Sequence, residues 1–348
     1  MTDSNQYYRG RGASSNPENR FKRLNTQKLP GEQEGDHPTE YFVDQSETIL
    51  AENNSPDIPF TYSLNPYRGC EHGCIYCYAR PSHEYLDFSP GLDFESKIVV
   101  KENAPELLEK RFESGTWEPQ VISLSGNTDP YQPIERELEL TRSCLKVFRR
   151  YRNPVSLITK SQLVTRDIDV LSDLADANLV RVHVSITSLD RELINKLEPR
   201  TTRPHRRLDA IDQLSNAGIP VGVNAAPMIP GLTDQELPSI LREASRRGAT
   251  SAGYIMVRLP GPVKDLFSDW LEQHFPDRRD KVLNQIRSVR DGTLNDSTFG
   301  DRMQGSGEHA DFQKQLFDTL RERHGLDDNN PTLDTSRFTP NPDQRSLF

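Results

Sequence analysis

Short runs of β-branched and other apolar residues alternate with amphipathic stretches through the middle of the chain. In the amphipathic stretches apolar residues recur with helical spacing, as at Leu163, Ile168 and Leu171, and Gly218 and Gly248 stand where two helices should end. The predicted strands cover residues 63–67, 121–125, 155–159, 180–187, 220–225 and 253–259. The predicted helices between them cover residues 104–113, 138–151, 163–177, 206–217 and 236–247.

Six strand–helix alternations predict a parallel α/β fold, because parallel strands are joined by crossover helices. We interpret residues 39–261 as a partial (β/α)6 TIM-like barrel, with an open, doubly wound sheet as the alternative. After residue 262 the alternation stops, and helical patterns follow over residues 264–275, 278–290 and 310–323. Residues 262–325 are therefore predicted to form a helical C-terminal extension that packs over the open side of the barrel.

The two ends of the chain lack apolar periodicity. Residues 1–38 are rich in Arg, Gly, Asn, Ser, Glu and Pro, which predicts a disordered or only locally ordered N-terminal tail. Residues 326–348 are rich in Asp, Asn and Pro and are predicted to form a flexible tail.

Composition narrows the class of protein. The 348 residues carry a net charge of −9 and a mean hydropathy of −0.74, so no global basic field indicates nucleic-acid binding. The composition still allows a local basic groove for nucleic acid, because arginines cluster around Arg200 and Arg203. The N-terminus has no apolar signal-peptide core, and no apolar run reaches the length of a membrane span. We therefore expect a soluble cytoplasmic protein with no membrane partner.

Three cysteines lie within eight residues: Cys70, Cys74 and Cys77. Three thiolates suit an iron–sulfur cubane and leave one of its four irons open to a small molecule, while Tyr76 would help to shield it from water. A disulfide framework normally needs an even number of cysteines in a small secreted chain, and structural zinc normally needs a fourth ligand. The cluster is the preferred interpretation, and zinc or buried, unliganded cysteines are the alternatives.

Polar residues stand at the predicted carboxyl ends of several strands, where parallel α/β folds bind ligands. Ser125 and Asn127 follow the second strand, Lys160 ends the third, and Ser185 ends the fourth. These residues are expected to share one mouth with the cysteines. Cys144 belongs to an amphipathic helix, so we expect it to be a buried core thiol and not a hydrogen donor.

The cysteine motif, with its aromatic residue before the last cysteine, resembles the signature of the radical S-adenosylmethionine (SAM) superfamily. The sequence segments at residues 65–81 and 127–133 resemble those of the branch related to spore photoproduct lyase. The resemblance extends from about residue 10 to residue 323. It implies a partial barrel in which the three cysteines hold a [4Fe–4S] cluster that binds SAM. The Gly-Gly-Glu triplet of the superfamily is absent from the second strand, where residues 125–129 read Ser-Gly-Asn-Thr-Asp.

The resemblance also implies site residues. Ser125, Lys160 and Ser185 correspond to strand-end positions that hold the methionyl part of SAM. Tyr76 and Tyr78 would flank the cluster and the adenine. Asn127, in the segment at residues 127–133, is expected to be a further cofactor contact.

The activity implied is reductive cleavage of SAM to a 5′-deoxyadenosyl radical that abstracts hydrogen from a substrate. An electron donor of the flavodoxin or ferredoxin type is then needed as a partner. Damaged DNA is one candidate substrate, while a metabolite or a protein is the alternative. A non-enzymatic, zinc-stabilised binding module is the third hypothesis.

The last five residues, from Gln344 to Phe348, resemble the short peptide by which bacterial replication and repair proteins bind the DNA sliding clamp. A polar tail that ends in an apolar pair suits a tethered ligand. The clamp and nucleic acid are accordingly candidate partners.

Overall fold

The computed structural model describes residues 8–21, 37–327, 332–340 and 342. The strands of the described chain are β1 (Glu40–Val43), β2 (Leu50–Glu52), β3 (Tyr62–Leu64), β4 (Tyr67–Arg68), β5 (Lys97–Val100), β6 (Ile122–Leu124), β7 (Val155–Thr159), β8 (Val180–Ser185), β9 (Val221–Met228) and β10 (Ser251–Met256). The helices are α1 (Leu92–Ser96), α2 (Ala104–Glu113), α3 (Glu135–Leu138), α4 (Leu140–Tyr151), α5 (Ile168–Asp176), α6 (Arg191–Leu197), α7 (Pro204–Asn216), α8 (Leu237–Arg246), α9 (Val263–His274), α10 (Pro276–Ser288), α11 (Asp301–Gln304) and α12 (Glu308–Arg323).

Six parallel strands form the main sheet in the order β3, β6, β7, β8, β9, β10, and β2 adds an antiparallel edge next to β3. The parallel strands follow one another in chain order without reversal, whereas a doubly wound sheet reverses its order at a switch point. This topology confirms the partial barrel and rules out the open-sheet alternative. Alternate side chains of β8, such as Val180, Val182 and Val184, are fully buried in the core.

The predicted first strand, residues 63–67, is divided between two sheets. β3 belongs to the barrel, whereas β4 pairs with β5 in a small sheet that also contains β1. Pro66 lies between the two strands and has no N–H to donate, while its carbonyl accepts from Lys101 N at 2.9 Å. The cysteine loop therefore follows a strand of the small sheet and not a strand of the barrel.

The N-terminal residues 8–21 have a fixed place, so the second of the two predicted outcomes, local order, applies to them. Glu95, which is fully buried, accepts hydrogen bonds from Gly12 N at 2.8 Å and Ala13 N at 2.9 Å. The Arg20 guanidinium pairs with Glu84. Composition missed this segment because its partners lie more than sixty residues away along the chain.

Part of the C-terminal tail also packs on the barrel. Thr339 N donates to Tyr151 O at 2.9 Å, and the Phe338 ring lies 5.6 Å from that of Phe112. The predicted flexibility therefore does not hold for residues 332–340.

The helices after residue 262 form the predicted C-terminal extension. α9 and α10 bury an apolar face against the cysteine loop and α6, and Trp270 Nε1 donates to Lys196 O at 3.1 Å. Arg290 donates to the carbonyls of Met256 and Val257 at the end of β10. None of the helices in the described ranges is both long and apolar enough to cross a lipid bilayer.

Candidate functional site

The three clustered cysteines lie in the loop between β4 and the 3-10 helix Arg80–Leu86, and all three are free thiols. Cys70 N donates to Phe94 O at 2.9 Å, and Cys77 N donates to Cys74 O at 3.2 Å. Gly73 has a φ of +66°, and a Cβ there would lie 2.8 Å from Glu95 Oε2. The loop thus needs a glycine between its first two cysteines.

A buried arginine fixes this loop from behind. Arg80, with no exposed surface, donates to Cys74 O from Nε at 3.1 Å and from Nη2 at 2.9 Å. Its Nη1 donates to Gly91 O at 2.9 Å, and its charge is balanced by the Glu95 carboxylate. Since Glu95 also binds residues 12 and 13, one buried ion pair connects the N-terminal segment to the cysteine loop.

The donor set fits an iron–sulfur cluster. Burial raises the pKa of the Cys74 thiol, and it raises that of Cys77 to about 11, so a cationic metal group is needed to hold them as thiolates. Within the described ranges no three His, Cys, Asp or Glu side chains are grouped as ligands of one metal ion. A cubane does not require such a group, because each thiolate binds a different iron.

Lys160 and Tyr76 meet beside the cysteine loop. Lys160, at the end of β7, donates from Nζ to Ala226 O at 3.2 Å, and Nζ lies 6.0 Å from the centre of the Tyr76 ring. The Tyr76 hydroxyl lies 3.2 Å from Thr187 Oγ1 and donates to the Glu198 carboxylate. A cation from one strand end and an aromatic ring from the loop therefore share this side of the mouth.

Glu198 carries a full negative charge inside this network. Burial alone raises the pKa of its carboxyl, but the positive charges of Arg207 and Lys160 outweigh burial and lower it to about 2. Arg207, itself fully buried, pairs with Glu198 and donates from Nη1 to Ser185 O at 3.1 Å. Ser185 is thereby held at the end of β8, and this arginine connects it to Glu198 and so to Tyr76.

Tyr78 joins the cysteine loop to the end of β6, which carries Ser125 and Asn127. Its hydroxyl donates to Gly126 O, while Asn127 N donates to the side chain of Asn65 at 3.1 Å. Ser125 has a φ of +141°, a conformation that residues with a side chain rarely adopt and that tends to occur at functional sites.

Asp129 had no role predicted from the sequence, although it belongs to the segment Ser-Gly-Asn-Thr-Asp at residues 125–129. Its carboxylate accepts from Thr159 Oγ1 and from Lys160 N, both at 2.7 Å, and lies 3.4 Å from His72 Nδ1. Its position directly after a predicted strand was the sequence feature that could have identified it as a site residue. Glu198 and Arg207 gave no local signal, because their partners come from three other segments of the chain.

Cationic and aromatic side chains border the outer edge of the mouth. The Arg258 guanidinium lies 5.0 Å from the centre of the Tyr78 ring. Arg302 pairs with Asp57 and lies 4.7 Å from the centre of the Phe299 ring, which is 56% exposed. Because Asp57 lies between β2 and β3 and Arg302 lies in α11, this ion pair connects the edge-strand side of the barrel to the C-terminal extension.

Comparison with known proteins agrees with this arrangement. The profile of the radical SAM superfamily matches residues 64–244. An uncharacterised protein of Mycobacterium tuberculosis is 36% identical over 226 residues, which are 64% of this chain and 66% of that protein. The chain thus spans 66% of the length of this relative. An uncharacterised protein of Methanocaldococcus jannaschii is 31% identical over 229 residues, which are 66% of this chain and 82% of the relative.

Solved structures share the fold. Spore photoproduct lyase complexed with dinucleoside spore photoproduct is 20% identical, with a TM-score of 0.57, over 82% of this chain and 78% of the lyase chain. A mutant of that lyase with bound AdoMet and dinucleoside spore photoproduct is 20% identical, with a TM-score of 0.56 and the same coverage. With the cysteine loop and strands β6 to β9 all inside the matched segment, the chain belongs to the radical SAM superfamily.

Proposed function

We propose that the protein is a radical SAM enzyme that uses a [4Fe–4S] cluster held by Cys70, Cys74 and Cys77. The observation that carries the proposal is one loop with three free thiols beside a ring of polar strand ends. When bound, the cluster would supply the electron that cleaves SAM to methionine and a 5′-deoxyadenosyl radical. That radical would take a hydrogen atom from the substrate.

The residues of this chain would bind and orient SAM. Lys160 offers a cation for the SAM carboxylate, and Ser125, Asn127 and Ser185 offer polar groups at neighbouring strand ends. The rings of Tyr76 and Tyr78 would exclude water beside the cluster and the adenine. Glu198 and Arg207 act indirectly, because they hold Tyr76 and Ser185 in position.

Anaerobic reconstitution with iron and sulfide tests the proposal. The protein should turn brown and should release 5′-deoxyadenosine when SAM and dithionite are added. The measurements are iron and sulfide content, the visible spectrum, and chromatography of the nucleoside product. A colourless protein with about one zinc per chain, as for the zinc-stabilised module, would rule the proposal out.

For the substrate we propose a nucleic acid carrying a damaged base. The support is the mouth of the barrel, where Arg258 and Tyr78 stack and Phe299 lies beside Arg302. Aromatic rings bind bases by stacking, and the arginines beside them bind phosphates by charge. The lyase with the same fold is complexed with a dinucleoside photoproduct, which adds a second, weaker support.

Phe299→Ala should weaken binding of a single-stranded oligonucleotide by about 1–3 kcal/mol, because a stacking ring is lost. Phe312→Ala is the matched control, since Phe312 is 59% exposed on α12. Fluorescence anisotropy with labelled DNA measures the affinity of both variants. Ultraviolet-irradiated DNA should also stimulate 5′-deoxyadenosine release. Equal affinities for the two variants would favour a metabolite or protein substrate.

The sliding-clamp peptide, from Gln344 to Phe348, lies outside the described residues. Clamp binding stays a prediction, and it would recruit the enzyme to DNA by protein contact.

A further inference from the structure

A cleft of about 520 Å³ lies beside the cysteine loop. It is formed by the segments that follow β6 and β7 and by the connection between α6 and α7. Its lining includes His72 but none of the three clustered cysteines, and neither Tyr76 nor Lys160. The lining of the cleft therefore shares no residue with the set proposed to bind SAM.

The charged side chains that line this cleft are arginines. Three arginines line it, Arg136, Arg200 and Arg203, and no Asp or Glu does so. Arg200 pairs with Glu71, whereas Arg136 and Arg203 are exposed and form no ion pair within the described ranges. The chain has a net charge of −9, so the positive charge of this surface is opposite in sign to that of the whole protein. We call the surface formed by these three arginines the arginine cleft.

A larger cleft elsewhere on the surface is lined mainly by acidic charge. Its volume is about 900 Å³, and it is lined by Asp44, Glu47 and Glu102, with Lys110 as the one lysine or arginine among its lining residues. The positive charge of the arginine cleft is thus a property of that surface and not of the clefts in general.

The arginine cleft contacts the cysteine loop at His72, which lines it, and at Glu71, which pairs with Arg200. His72 lies two residues from Cys70 and from Cys74, its carbonyl accepts from Arg200 N at 3.3 Å, and its imidazole contacts Cys70. Because electron transfer weakens steeply with distance, a redox partner bound in this cleft would have a short path to the proposed cluster.

We propose that the arginine cleft docks an acidic one-electron carrier protein of the flavodoxin or ferredoxin type. The inference rests on the proposed function, which consumes one electron for each SAM cleaved. One electron leaves the carrier, which is oxidised, and the cluster is reduced, with no proton or group transferred. Redox encounters are small and guided by complementary charge, which suits a compact cationic cleft of this size.

The test uses the charge-reversed double variant Arg136→Glu with Arg203→Glu in the reconstituted full chain. Both side chains are exposed and are not assigned to the SAM site. Flavodoxin binding, measured by biolayer interferometry, should weaken about tenfold, and the wild-type affinity should fall as salt is raised. The rate of 5′-deoxyadenosine release driven by flavodoxin and its reductase should fall by a similar factor. The rate driven by dithionite should not change.

Lys110→Glu in the acidic cleft is the control for a change in net charge and should leave both binding and rate unchanged. Unaltered flavodoxin and ferredoxin binding in the double variant would overturn the proposal, as would no binding of either carrier to the wild type. An equal loss of the dithionite-driven rate would also overturn it, because the substitutions would then be acting on the SAM site. Loss of oligonucleotide binding alone would instead identify a nucleic-acid surface.

Failure of the proposed function is distinguishable from failure of this inference. If dithionite gives no 5′-deoxyadenosine, the function fails, while the binding measurement still decides whether the arginine cleft holds the carrier.

Discussion

Cys74→Ala is expected to remove the brown colour of the reconstituted protein and to lower 5′-deoxyadenosine release by more than about a hundredfold. The cubane would keep only two protein thiolates, whereas loss of groups that merely support metal ligands already costs about ten- to a hundredfold. Cys74 also lies at the centre of the loop, where its carbonyl accepts two hydrogen bonds from Arg80. Iron content, the visible spectrum and product chromatography measure the effect.

Cys144→Ala is the matched control, because it removes the same thiol from a cysteine outside the loop. As predicted, Cys144 is fully buried in α4, and burial raises the pKa of its thiol. This variant should keep its iron and its rate while losing about 1 kcal/mol of stability from the core. Iron retained by Cys74→Ala, or lost equally from both variants, would contradict the assignment of the cluster ligands.

Glu198→Ala should lower the free energy of unfolding by about 3–5 kcal/mol, because it leaves the Arg207 charge buried without its partner. The same change removes an acceptor from the hydroxyls of Tyr76, Thr187 and Thr201. Denaturation of the full chain in urea under reducing conditions measures the loss. Glu243→Ala is the control, since its carboxylate pairs with arginines near the surface and should contribute less than about 1 kcal/mol.

The stability difference between wild type and Glu198→Ala should also depend on pH. The pKa of Glu198 is about 2 in the folded protein and 4.5 ordinarily, so its ionised form is favoured by folding. That contribution is complete above about pH 4.5 and is lost as the pH falls toward about 2. Urea titrations should therefore give a smaller difference at pH 3.5 than at pH 7, and a constant difference would show that the charge pair does not carry the effect.

The sequence predicted regular elements well where each is a continuous pattern. β7 has the predicted bounds, residues 155–159, and so does α2, residues 104–113. Prediction was wrong where non-local pairing decided the outcome. Residues 63–67 were predicted to be one strand, but β4 pairs with β5 thirty residues later. The sequence did not predict which part of the N-terminal tail would be ordered, because the order of residues 8–21 depends on Glu95, which no local pattern connects to them.

The candidate site divides in the same way. Cys70, Cys74 and Cys77 were recognisable because three cysteines in eight residues form a local motif. Lys160 and Ser185 were recognisable because parallel strands end at the same side of a sheet. Asp129, Glu198 and Arg207 were not, since their roles consist of contacts with several distant segments.

By itself, the sequence determined the alternation of strands and helices, the cysteine motif and the polar residues at strand ends, because each is set by spacing along the chain. Only the tertiary structure decided how these parts are held. The Arg80–Glu95 pair attaches the N-terminal segment to the cysteine loop, and the Glu198–Arg207 pair fixes Tyr76 and Ser185. Buried charges require partners, and those partners can come from any part of the chain, so only the folded protein identifies them.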